Sequence, residues 1–148
     1  PVYLGESRVY SGAGMAALVR CSPNIALIKY WGKDDDTLNI PCNPSLSLTL
    51  DARDIYTETR VELSRNSTST FSLNGKTVPL SDRAETVLRL LSSAAGYHGT
   101  FRIETRNSFP TGAGMASSAS GIAALTMATY HALRAHSARE VREGERER

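Results

Sequence analysis

The stretch Asn107–Ser108–Phe109–Pro110–Thr111–Gly112–Ala113–Gly114–Met115–Ala116–Ser117–Ser118–Ala119–Ser120 decides the fold. Before it, Thr100 to Arg106 alternates and reads as a strand, with Phe101 and Ile103 facing inward. After it, Gly121 to Ala135 is rich in Ala, Leu and Met and reads as a helix. Gly112 and Gly114 remove side chains where backbone amides must approach a ligand. A helix start presents unpaired N–H groups and the positive end of its dipole. Strand, glycine turn and helix start together make an anion site suited to phosphate. Ser117, Ser118 and Ser120 add hydroxyls that donate to phosphate oxygens or help hold Mg²⁺, with Ser118 the candidate metal ligand. No Lys follows Gly114 in the place a Walker A motif requires. Taken alone, a Gly- and Ser-rich loop ahead of a helix is as often a plain loop with a cap. Gly12–Ala13–Gly14–Met15–Ala16 echoes residues 112–116 but runs into a strand-like segment without serines, so it is read as coincidence.

Working outward, Ser81 to Ala95 reads as a helix. Asp82 and Glu85 have capping-box spacing, Val87, Leu88, Leu90 and Leu91 form the apolar face, and Gly96 is the expected stop. Asn74–Gly75, between Phe71–Leu73 and Thr77–Val78, marks a tight hairpin. Ile55 to Leu63 and Ser45 to Leu50 alternate as strands, and in the second of these three leucines share one face. Ile25 to Tyr30 is a short run of strand formers, and Lys33 to Thr37 reads as an acidic loop. Strands first, then helix, strand, loop and helix, predict an α+β architecture with a largely antiparallel sheet. Residues 139–148 are nearly all Arg and Glu, so they are expected to be a disordered tail unless they form a solvated helix extension.

The second constellation is Ser22–Pro23–Asn24–Ile25–Ala26–Leu27–Ile28–Lys29–Tyr30–Trp31–Gly32–Lys33, continuing at Asn43–Pro44–Ser45–Leu46–Ser47. Strand alternation would put Lys29, Trp31 and Lys33 on one side, with Gly32 breaking the regularity. Lysine is a movable point charge suited to phosphate and carboxylate, and a tyrosine hydroxyl adds a directed hydrogen bond. Without further context the lysines are simply solvent-facing and the lone tryptophan is core packing.

Bulk properties narrow the partners. The 148 residues suffice for one modest domain, and 41% hydrophobic with 22% charged residues is an ordinary globular mix. A net charge of +2 and no basic stripe argue against nucleic acid or a membrane surface. Cys21 and Cys42 match no zinc spacing and are expected to be reduced thiols. No apolar run is long enough to span a bilayer, so a soluble cytoplasmic protein is expected.

Together the two constellations resemble the diphosphomevalonate decarboxylase family of the GHMP kinase superfamily. Residues 23–26, 29–33, 43–50 and 107–121 carry the likeness, and the tryptophan segment is the more specific part. The resemblance covers most of residues 20–134. It implies a partial GHMP-type N-terminal domain over 15–138, with 1–14 an extension outside it. It implies ATP-dependent conversion of mevalonate 5-diphosphate to isopentenyl diphosphate, with Mg²⁺ accompanying ATP. The tertiary 3-hydroxyl is phosphorylated, and that phosphate then leaves with CO₂. Tyr30, Trp31, Gly32, Lys33 and Arg83 are implied to meet the substrate diphosphate. Lys29, Asn24 and Ser118 are implied at the reacting end. Pro110, Thr111, Gly112, Ala113, Gly114, Met115, Ala116, Ser117, Ser118 and Ser120 are implied around the ATP phosphates. Pro44 departs from the family, which more often has a small hydroxyl residue there. The family's active-site arginine and aspartate base are not found in these residues, so the chain alone is expected to be inactive. The longer parent is expected to form a homodimer. The alternatives are another GHMP-type mevalonate kinase, a monophosphate decarboxylase, or a non-catalytic nucleotide-binding remnant.

Overall fold

The computed structural model describes residues 7–11, 15–29, 31–38, 40–64, 67–110 and 117–146. Its centre is the antiparallel pair of β7 (Thr57–Ser64) and β10 (Thr100–Asn107), matched residue for residue from Thr57↔Asn107 to Ser64↔Thr100. Because side chains alternate across a strand, Thr57, Thr59 and Val61 share a face with Phe101, Ile103 and Thr105. β2 (Met15–Cys21) pairs antiparallel with the far edge of β7 and adds Ala17, Val19 and Cys21 to that face. β1 (Ser7–Ser11), a strand not anticipated in the extension, pairs antiparallel with β2.

On the other side β8 (Thr70–Leu73) runs parallel to β10 and turns through Asn74–Gly75 into β9 (Lys76–Thr77). Both turn residues have positive φ, 50° and 79°, the geometry an Asn–Gly hairpin prefers. The sheet order is β1-β2-β7-β10-β8-β9, largely antiparallel as expected, with one parallel pair. Two helices cover one face, giving the α+β architecture of a GHMP-type N-terminal domain.

The helix α1 (Asp82–Ala95) ends at Gly96, whose left-handed φ of 65° lets its N–H reach the Ser92 and Ser93 carbonyls. Its N-cap is Ser81, whose hydroxyl accepts from the Ala84 N–H, so the expected Asp82–Glu85 box gives way to a serine cap one residue earlier. The buried side is Ala84 and Leu88 with Val87 and Leu91 beside them. Leu90 lies off that stripe and is 57% exposed, a correction to the expected apolar face.

The helix α2 (Ser117–Arg146) starts four residues before the expected Gly121. Ala124, Ala128 and Ala132 recur every fourth residue beside Leu125, Thr129 and Leu133, and all six are buried. Small side chains on that row let the helix settle closely on β2 and β7, and α1 packs against its flank. Residues 139–146 continue α2.

Two small antiparallel pairs stand apart from the main sheet. β3 (Asn24–Ile28) pairs with β6 (Leu46–Thr49), and β4 (Lys33–Asp35), inside the segment expected as a loop, pairs with β5 (Ile40–Pro41). Leu46 and Leu48 do share a face, but both are exposed, as are Ile25 and Ile28. Cys21 and Cys42 are both free thiols.

Candidate active site

The first turns of α1 and α2 open onto one cleft of about 460 Å³. Its apolar wall is Phe71, Leu73, Val78, Pro79, Ile122 and Leu125. Its polar groups are the hydroxyls of Thr57, Ser81, Thr105, Ser117 and Ser118, the Asn107 amide, and the Arg83 guanidinium. The fold explains the convergence. β7 and β10 end together, so Thr57 and Asn107 stand at one sheet edge. The β8–β9 hairpin delivers α1 to the same edge, and α2 begins there at Ser117. Asn74 fastens the hairpin, its N–H donating to the Thr105 carbonyl at 2.8 Å and its side-chain oxygen accepting from the Asn107 N–H at 3.0 Å. Ser108 closes the strand ends, donating from its N–H to the Tyr56 carbonyl and accepting the Tyr56 N–H on its hydroxyl, both at 2.9 Å.

The electrostatics favour an anion. Among the described residues no carboxylate lines the cleft, and Arg83 is the one charged residue that does. The first turn of α2 carries no acidic residue, so nothing there neutralises the helix's positive end; α1 already carries Asp82 and Glu85. A depression of similar size, about 450 Å³, lies on the sheet's other face. There Glu58 and Glu104 sit among the arginines, each bridged to one or more of them, which disfavours a polyanion.

Of the residues singled out in the sequence, Arg83, Ser117 and Ser118 meet in the cleft. Ser120 takes a different part: it is buried, with its hydroxyl 2.8 Å from that of Thr57 and 3.2 Å from the Ser117 carbonyl. Pro110 is exposed outside the cleft lining. Thr111, Gly112, Ala113, Gly114, Met115 and Ala116 lie outside the described residues, and so does Tyr30. Asn24, Lys29, Trp31, Gly32 and Lys33 are on or beside the small sheets and do not line the cleft. Trp31 is 88% exposed, so it is not core packing. Lys33 Nζ lies 3.4 Å from Asp36 Oδ1.

Thr57 and Thr105 escaped sequence reasoning: they line the cleft although nothing in the sequence marks them, and Asn107, which opens the quoted stretch, joins them there. Asn43 ties the backbone at Lys29 and Trp31: its side-chain oxygen accepts from the Trp31 N–H at 3.3 Å and its amide donates to the Lys29 carbonyl at 3.3 Å. The Cys42 N–H to Gly32 carbonyl bond, 3.1 Å, completes that clasp.

Residues 21–147 match the model of the diphosphomevalonate decarboxylase-like N-terminal domain. The chain belongs to this family. Its relatives within it include the diphosphomevalonate decarboxylase ERG19 of Gibberella zeae, 35% identical over 145 residues, covering 84% of this chain and 35% of the relative. Among solved structures, the mevalonate diphosphate decarboxylase of Enterococcus faecalis, described for mevalonate diphosphate mediated ATP binding, is 42% identical with a TM-score of 0.68. That alignment covers 82% of this chain and 38% of the other. MDDEF in complex with MVAPP, AMPPCP and magnesium is likewise 42% identical, with a TM-score of 0.68 over 82% of this chain and 37% of that one. The chain thus spans little more than a third of the length of these decarboxylase-family relatives. Among the described residues no helix is long and apolar enough to cross a membrane.

Proposed function

We propose that this chain supplies the nucleotide half, and part of the substrate half, of an ATP-dependent decarboxylase acting on mevalonate 5-diphosphate to give isopentenyl diphosphate. The observation that carries the proposal is the meeting of Arg83 with Ser117 and Ser118 in one carboxylate-free cleft. The apolar wall suits a purine and sugar, while the α2 start suits phosphates. Phosphoryl transfer asks a protein mainly for positioning and charge neutralisation, which this donor set provides. ATP, when bound, supplies the phosphoryl group that converts the substrate's tertiary hydroxyl into a leaving group.

The donor set accommodates Mg²⁺ through a hydroxyl, that of Ser118, because among the described residues no carboxylate lines the cleft and no cluster of metal-ligating side chains is found. The nucleotide's own phosphates would therefore be its main ligands. Ser118 holds the γ-phosphate end, Ser117 and the glycine turn from 112 to 116 wrap the phosphates, and Arg83 takes the diphosphate of the substrate. Lys29 and Lys33, beside Trp31, form the second cationic group for the substrate, with Tyr30 and Asn24 adding hydrogen bonds. Proton removal from a tertiary alcohol needs a positioned base. Among the described residues the cleft offers none, so negligible turnover is expected from these 148 residues by themselves. The working enzyme is cytoplasmic and dimeric.

Isothermal titration of the 148-residue chain with Mg-ATP tests the proposal. Saturable binding that weakens in Ser118→Ala supports it. Heat-silent titration of the folded chain, or binding indifferent to Ser118→Ala, would overturn it.

A further inference from the structure

Behind the cleft lies a chain of hydroxyls that neither the family resemblance nor the charge pattern explains. Thr57 is fully buried, and its hydroxyl donates to Asn107 Oδ1 at 2.8 Å. The same oxygen lies 2.8 Å from the Ser120 hydroxyl. Its one proton being engaged at Asn107, Thr57 is the acceptor in that second contact. Ser120, 2% exposed, directs its own proton between Thr57 and the Ser117 carbonyl at 3.2 Å. The chain therefore runs from the end of β10, through β7, to the first turn of α2. It connects three residues that line the cleft, Asn107, Thr57 and Ser117, through one that does not, Ser120.

We infer that Thr57 is a positioning residue for the nucleotide site, its hydroxyl holding the first turn of α2 and the Asn107 amide in register with the sheet. This inference rests on the nucleotide assignment of the cleft above. Three features support it. A buried hydroxyl that both donates and accepts has one rotamer that satisfies it, so the geometry is fixed rather than adaptable. Valine has nearly the same shape as threonine, so packing alone does not require the oxygen at position 57. A helix start left without this tie has only packing further along α2 to set where Ser117 and Ser118 stand, and helix ends are where fraying begins.

The experiment compares wild-type chain, Thr57→Val and Thr57→Ser, with thermal unfolding verifying that each is folded. Mg-ATP affinity by titration calorimetry is expected to fall about tenfold in Thr57→Val and to return to within about twofold in Thr57→Ser. Amide exchange at residues 120–122 is expected to quicken in Thr57→Val only, without any ligand present. If Thr57→Val does not fold, Ser120→Ala severs the same chain at its other member and is expected to weaken binding similarly. Unchanged affinity in Thr57→Val, or in Ser120→Ala where that stands in, overturns the inference while leaving the nucleotide assignment intact. Equal loss in Thr57→Val and Thr57→Ser also overturns it, because a retained hydroxyl would then not preserve the site. A folded wild-type chain that ignores Mg-ATP removes the nucleotide assignment itself, and the inference with it.

Discussion

Arg20 and Glu58 face each other across β2 and β7, with Nε 2.7 Å from Oε2, and the Glu58 side chain is only 3% exposed. Arg106, opposite Glu58 on the other neighbouring strand, donates to the second carboxylate oxygen at 2.6 Å. Arg20 also stacks on the Tyr56 ring, 4.3 Å from its centroid. One carboxylate thus pins three strands on the sheet face away from the helices.

Burial raises the Glu58 pKa, but the two guanidiniums outweigh it and hold the group below the usual glutamate range. A depressed folded pKa contributes stability that is complete above the unfolded value, about 4.3, and is lost as pH falls through that value and then the folded one. The wild-type urea midpoint is therefore expected to drop between pH 6 and pH 3 more steeply than that of Glu58→Gln. At pH 7 that variant is expected to be less stable by about 1–3 kcal/mol. Parallel pH profiles for the two proteins would remove the triad as the cause.

Thr129 is fully buried in α2 with no hydrogen-bond partner for its hydroxyl among the described residues. Thr129→Val removes an unsatisfied polar atom and keeps the shape. It is expected to stabilise the chain by about 1 kcal/mol in urea unfolding. A loss of stability of similar size would mean the hydroxyl has a partner in solution.

Gly96 caps α1 at a φ of 65°, and a Cβ placed there meets nothing within 4 Å. Gly96→Ala is expected to cost about 1–2 kcal/mol through backbone strain alone. Thermal unfolding reads the cost, and an unchanged midpoint would show that the helix end relaxes out of the left-handed conformation.

The two thiols differ in environment. Cys21 is buried, and burial pushes its pKa up, whereas Cys42 is exposed. A disulfide reagent at pH 8 is expected to titrate one thiol quickly, and Cys42→Ser to abolish that fast phase. The slow thiol should react only on unfolding. Two equally fast thiols would mean that β2 opens readily.

What the sequence disclosed was local. Asn74–Gly75 and Gly96 announce their turns because few other residues take positive φ. Phe101 and Ile103 face inward as their alternation requires. β1 gave no signal because residues 1–14 show no strong period, although its partner β2 follows close behind. The parallel β8–β10 contact depends on how α1 returns the chain. Thr57, Thr59 and Thr105 look like surface residues but are buried, because their hydroxyls satisfy one another or a neighbour on α2 or β10. The leucines of β6 showed the opposite limit: alternation marks the strand without saying what covers it. The cleft was half legible. Ser117 and Ser118 follow from a glycine turn before a helix, and Arg83 from the resemblance. The groups at 57 and 105 emerge only when the start of β7 is seen to meet the end of β10.

Photolabelling with 8-azido-ATP and Mg²⁺, followed by peptide mapping, addresses the shared cleft of α1 and α2 most directly. Label is expected on peptides spanning residues 71–84 and 105–125, and excess Mg-ATP should suppress it. Label on the opposite sheet face, around Arg60 and Arg102, or label that Mg-ATP cannot displace, would contradict a nucleotide site between Arg83 and Ser118.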